Sequence, residues 1–119
     1  GGEIAVQNLL AMGQKFTAIL AYNDDMAMGA ISMLTAQGYR VPDDISVIGF
    51  GNFILAKCLP PQLTTINNPI EEMAIQATEL ALALSQQSTF KTLPTYRYVP
   101  ELIVRKSVQQ RISDTNQTN

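Results

Sequence analysis

Two short, dense apolar runs, "FTAILAY" at residues 16–22 and "ISVIGF" at 45–50, most constrain what this chain can fold into. Each is compact and bounded by polar residues or turn formers, the pattern of a strand buried on both faces of a sheet. Between them lies "NDDMAMGAISMLTAQG". Its start offers cap-forming and acidic residues, Met26, Ala30, Ile31, Met33 and Leu34 recur at helical spacing, and Gly38 closes it. A helix is also expected ahead of the first run, where "EIAVQNLLAMG" sets Val6, Leu9 and Leu10 near one face and ends at Gly13. Helix, strand, helix, strand, with "VPDD" at 41–44 as a turn, predicts an α/β fold built on a parallel sheet.

The rest of the chain extends that pattern. "FILAKCL" predicts a short helix that Pro60 and Pro61 stop. "QLTTI", rich in β-branched residues, predicts a third strand. A strong helix follows, with Asn68 as N-cap, Pro69 at the first helical position and Glu71 and Glu72 in the first turn. Met73, Ala74, Ala77, Leu80, Ala81 and Leu84 form its apolar stripe, and its end is expected near Ser85. "QQSTFKT" reads as a loop, and "YRYVPELIVRKSV" as one or two late strands that Pro100 confines to an edge or a break. The polar residues 109–119 read as a disordered tail.

Composition enters through what it excludes. The chain of 119 residues has no His and a single Cys, Cys58, which rules out a Ser-His-Asp triad, a Cys-His pair and a zinc site on the usual ligands. No cofactor and no enzymatic activity are expected. Eight scattered Lys and Arg residues against ten acidic ones give a net charge of −2, so this chain alone has no basic face for duplex DNA. No apolar run reaches membrane-spanning length, "GGEIAVQ" lacks the marks of a signal peptide, and a lone Cys fits a reducing compartment.

In an open parallel sheet, ligands bind beyond the carboxyl ends of the strands. That rule picks out Asn23 and Asp24 after the first strand, and Phe50, Gly51 and Asn52 after the second. The amide of Asn23 can both donate and accept, which suits a sugar hydroxyl or a nucleobase edge; it could equally cap the next helix, although Asp24 is the expected cap. Gly49 and Gly51 could serve only a tight turn, and with Ile54 following they do not complete a dinucleotide-binding fingerprint. Met28 lies off the face defined by Met26, Ala30 and Met33. The adjacent pairs Asp43–Asp44 and Glu71–Glu72 read as solvated charge, since neighbours on a helix do not face each other. Cys58 reads as a buried or interface thiol.

Four stretches, "FTAILAYNDDMAMGAI", "GYRVPDDISVIGF", "PQLTTINNPIEEMA" and "PELIVRKSV", in this order and at this spacing, resemble the lactose/galactose repressor family of bacterial transcription regulators, nearest its galactose-type members. The resemblance covers nearly all of the chain before the tail. It implies a Rossmann-like lobe of a periplasmic-binding-protein type I fold, with residues 1–108 forming the C-terminal part of an effector-binding and dimerisation domain. Residues 69–96 would belong to the other lobe of that domain, with the last strand, near 102–105, returning to the first.

Further expectations come from the same likeness. The effector would be a sugar, D-galactose or a relative, bound through Asn23 and the 50–52 loop, and sugar binding would shift operator affinity allosterically. Operator DNA would be met only through a domain absent from this chain, in a cytoplasmic homodimer. Met28, Ala56, Cys58 and Leu59 fall on the family's dimer positions. The chain departs from the family at Gly51, where an Asp usually accepts the sugar; Asn52 holds the second Asp position and could substitute in part. A periplasmic sugar-binding protein of a transport system is the alternative, and a doubly wound enzyme a more distant one.

Overall fold

The computed structural model describes residues 1–86, 92 and 94–111. Helix α1 (Gly2–Ala11) leads into strand β1 (Ala18–Leu20), helix α2 (Asp24–Ala36), strand β2 (Ser46–Phe50) and the short helix α3 (Ile54–Cys58). Strand β3 (Thr64–Asn67), helix α4 (Ile70–Gln86) and strand β4 (Glu101–Ile103) complete the order. The four strands form one sheet in the order β1-β2-β3-β4, with the first three parallel and β4 antiparallel to β3. The mixed α/β fold with a parallel-dominated sheet is thus as the alternation of runs required.

The core lies between α2 and the sheet. Val6 of α1, Ala27, Ala30, Ile31 and Leu34 of α2, Ile45 and Val47 around β2, Ala56 of α3 and Leu63 before β3 are all buried together. Along β2 the pleat alternates, so that Val47 and Gly49 are buried and Ser46, Ile48 and Phe50 only partly so. The expectation that both apolar runs are buried on two faces is therefore corrected. Strand β1 is a three-residue edge whose Leu20 is 72% exposed, because among the described residues its far side has no neighbouring strand and the helices of the core cover one face of the sheet.

Register places the site. Ile48 pairs with Thr64, Gly49 with Thr65 and Phe50 with Ile66, so the carboxyl ends of β2 and β3 are level with each other. Across the antiparallel pair, Thr65 faces Ile103 and Asn67 faces Glu101. One late strand forms, not two, and it begins directly after Pro100, where the missing N–H is no loss to the ladder. Beyond it, the buried Ser107 hydroxyl donates to the Val47 carbonyl at 2.6 Å and accepts from the Thr64 N–H at 2.8 Å. Gln109, the first residue of the expected tail, donates to Ser46 Oγ and to the Asp43 carbonyl; residues 112–119 lie outside the described residues, as does most of the "QQSTFKT" loop.

The turn before β2 is closed by charge. Arg40 donates to Asp44 from its backbone N–H at 2.8 Å, from Nε at 3.0 Å and from Nη2 at 2.8 Å. The guanidinium first, and then the backbone N–H, holds the Asp44 carboxyl down at about 2. Helix α4 is of another kind: it starts at Ile70, one residue later than expected, and none of its residues is buried. Its stripe is present, and among the described residues no element covers it.

Candidate functional site

The cap at the start of α2 is Asn23, not Asp24. Asn23 has extended backbone and its Oδ1 accepts from the Met26 N–H at 2.8 Å. Asp24, taken from sequence as the cap, is instead the first helical residue and is 1% exposed. Its Oδ2 accepts from the Phe53 N–H at 2.7 Å and its Oδ1 from the Thr65 hydroxyl at 2.5 Å. One carboxylate thus ties the α2 N-terminus to the 50–53 loop and to β3.

That tie explains the first glycine. Gly49 sits inside β2 with no positive φ, and a Cβ there would overlap Asp24 Oδ1 and lie 2.8 Å from Leu63 Cδ2. The space for a side chain has gone to the carboxylate, so close approach rather than a turn requires glycine. Gly51 is the conformational case: its φ is +123°, and a Cβ would sit 3.0–3.3 Å from the Phe53 ring. The loop is bare because its backbone turns through a region closed to side chains and an aromatic ring folds over it.

Asn52 follows in the left-handed region with φ +56°, which Asn tolerates better than most residues. Its side chain points into the sheet: Nδ2 donates to Asn67 Oδ1 at 3.1 Å, and Oδ1 accepts from Arg105 Nη2 at 2.6 Å. Arg105 also donates through Nη1 to the Leu63 carbonyl and through its N–H to Thr64 Oγ1. Sequence reasoning overlooked Asp24 and Arg105 as the anchors of this loop; the only signals were a second acid after Asn23 and a cation in the last strand segment.

A cleft of about 760 Å³ opens at the carboxyl ends of β1, β2 and β3. Leu20, Tyr22, Phe50, Phe53, Ile66 and Ile70 make most of its wall, with Asn23 and Gly51 at the loop side. The structure therefore brings Asn23, Phe50 and Gly51 together around one cavity, as the strand-end rule expects. It does not bring Asn52 there, since that amide is engaged with Asn67 and Arg105. Among the described residues no group of three His, Cys, Asp or Glu is placed to hold a metal ion, and no helix is long and apolar enough to cross a membrane.

The expected dimer residues separate in the same way. Met28 packs partly against the core, while Cys58 and Leu59 are exposed at the end of α3. Ala56 is corrected: at 0% exposure it is a core residue, placed inward because α3 turns that face toward α2 and the core and leaves Ile54 and Leu55 outside.

An α/β lobe with a ligand-sized cleft at its strand ends is the class that fold and site define. A family model described as "Periplasmic binding protein-like domain" matches residues 2–108. The chain is 44% identical over 108 residues to the HTH-type transcriptional regulator GalR of Escherichia coli strain K12, covering 91% of this chain and 31% of that one. Among solved structures, a LacI-type transcription regulator from Bifidobacterium animalis subsp. lactis superposes with a TM-score of 0.84 at 33% identity, over 92% of this chain and 39% of the other. A LacI family regulator from Enterococcus faecium with bound ribose gives a TM-score of 0.81 at 30% identity, over 91% and 39%. The chain belongs to the periplasmic binding protein-like domain family, in its LacI/GalR branch. It spans about a third of the length of the curated relatives it matches.

Proposed function

We propose that this chain is the effector-sensing lobe of a sugar-responsive transcriptional repressor of the galactose type. The observation that carries the reading is the convergence of Asn23, Phe50 and Gly51 on one cleft at the strand ends, the place where an open α/β sheet receives a ligand. Asn23 offers the hydrogen-bonding group and Phe50 an apolar surface. Likeness to GalR supports D-galactose or a relative as effector, and the ribose-bound neighbour is a regulator of the same fold that carries a sugar.

Control would be allosteric. A sugar that binds one arrangement of the repressor better than another shifts operator affinity by that difference and by nothing else, and no covalent step is needed. Operator contact would fall to a DNA-binding domain outside these residues, in a cytoplasmic homodimer meeting partly through Met28, Cys58 and Leu59. The regulators named above support this over a transport protein or an enzyme. Titration of the chain with D-galactose, D-ribose and L-arabinose, followed by backbone amide shifts, tests the effector role. Shifts confined to residues 22–24 and 50–53 are expected; a sugar that perturbs only the opposite end of the sheet, near Pro42 and Gln109, would sink it.

A further inference from the structure

We infer that Arg105 is a positioning residue for the cleft: from behind the sheet-side of the loop it fixes residues 50–53 and the start of α4 against each other through Asn52, although it does not itself line the cavity. Its use to effector binding rests on reading this cleft as the effector site; the linkage does not. Two sides of the cleft are carried by different elements. Phe50, Gly51 and Phe53 stand at the end of β2 and on the loop after it, and Ile70 is the first residue of α4. No residue of α4 is buried, so among the described residues that helix is held chiefly at its root, where β3 ends at Asn67.

Asn52 joins the two sides. Its Nδ2 donates to Asn67 Oδ1 at 3.1 Å, and its Oδ1 accepts from Arg105 Nη2 at 2.6 Å. Arg105 is fixed in turn at the beginning of β3, where its Nη1 donates to the Leu63 carbonyl at 2.8 Å and its N–H to Thr64 Oγ1 at 2.9 Å. One planar fork therefore reaches from the start of β3 to the loop, and the Asn52 amide passes that hold on to the end of β3. The amide suits the place because one of its atoms accepts from the guanidinium while the other donates to Asn67, on a backbone of φ +56° that Asn tolerates. A Lys ammonium, a point donor on a flexible stem, lacks the fork that serves Leu63 and Asn52 together.

Hydrogen exchange of the full chain without ligand tests this, read at amides of known acceptor: Gly51 to the Ile66 carbonyl, Phe53 to Asp24, Met73 to the Pro69 carbonyl and, as a reference away from the cleft, Ser46 to the Thr17 carbonyl. Arg105→Ala should speed exchange at Gly51, Phe53 and Met73 by at least about tenfold, the factor that losing one hydrogen bond from a charged donor implies, and leave Ser46 within about twofold. Arg105→Lys should recover only part of the protection. Asn52→Gly keeps a φ open to glycine and removes the amide; it should speed Met73 in the parent and add little in Arg105→Ala. Uniform acceleration at all four amides would mean that Arg105 serves global stability alone and would overturn the inference. Full recovery by Lys, or additive effects of the two changes at Met73, would overturn it as well. If Arg105→Ala fails to fold, the same cycle is run between Arg105→Lys and Asn52→Gly with the same criteria. Because no ligand is added, failure here leaves the effector reading standing, and a failed sugar titration leaves this linkage standing.

Discussion

Helix α2, with 13 residues, buries Asp24, Ala27, Ala30, Ile31 and Leu34, whereas α4, with 17, buries none. Both carry an apolar stripe and two acidic residues in the first turn. Both form, because periodicity, end signals and propensity act within the segment. Their energies differ because the stabilising term comes from the partner: α2 lies on β2 and α1, and among the described residues α4 lies on nothing comparable. A periodic stripe thus specifies an element and a demand for cover, and leaves the cover itself to other parts of a structure.

The sharpest way to break that comparison is to truncate one Leu in each helix. Leu34→Ala should cost about 3–4 kcal/mol in urea unfolding, from lost burial plus the cavity left behind. Leu82→Ala, at a position 58% exposed, should stay within about 0.5 kcal/mol. Equal losses would mean that α4 is covered in solution. Next comes Asp24→Ala, expected to cost about 2–3 kcal/mol because the Phe53 N–H and Thr65 hydroxyl lose their acceptor. Selective broadening of the residue 50–53 amides should accompany it, and a loop that stays ordered in the variant would show that Asp24 is not its anchor.

Gly51→Asp should be milder, about 1–2 kcal/mol of strain at a φ of +123°, measured by thermal unfolding. A neutral result would show that the loop relaxes freely. The smallest effect belongs to the Arg40–Asp44 clamp. The folded Asp44 carboxyl is held down at about 2 against an ordinary 3.8, so its contribution is fully present above 3.8 and is lost as pH falls through about 2. A carboxyl-carbon titration should show that depressed midpoint, and Arg40→Ala should return it toward 3.8.

The legible parts of this fold are those whose causes are local. Gly13 and Gly38 follow α1 and α2, Pro60 and Pro61 follow α3, and the strands lie within or beside the runs that announced them. Contacts made at a distance were not legible. Asp24 takes its two donors from residues 29 and 41 positions away, and Asn52 meets an Arg 53 positions on. No spacing rule reaches so far, so the cap was assigned to the wrong neighbour and Asn52 to the wrong side of its loop. One-sided cover of the sheet was equally hidden, since an apolar run states what it tolerates rather than what is there.

The left-handed backbone at Gly51 also bears on ancestry. Two of the four Gly codons differ from an Asp codon by one base and the other two by two, so the carboxylate that the family resemblance leads one to expect at position 51 lies within one or two base changes. An Asp there would nonetheless stand on a backbone of positive φ and beneath the Phe53 ring. A change that is small in the genetic code is thus larger in the protein. An acidic side chain at residue 51 should then be accommodated more readily once residue 53 is smaller, an order of changes that paired variants could check.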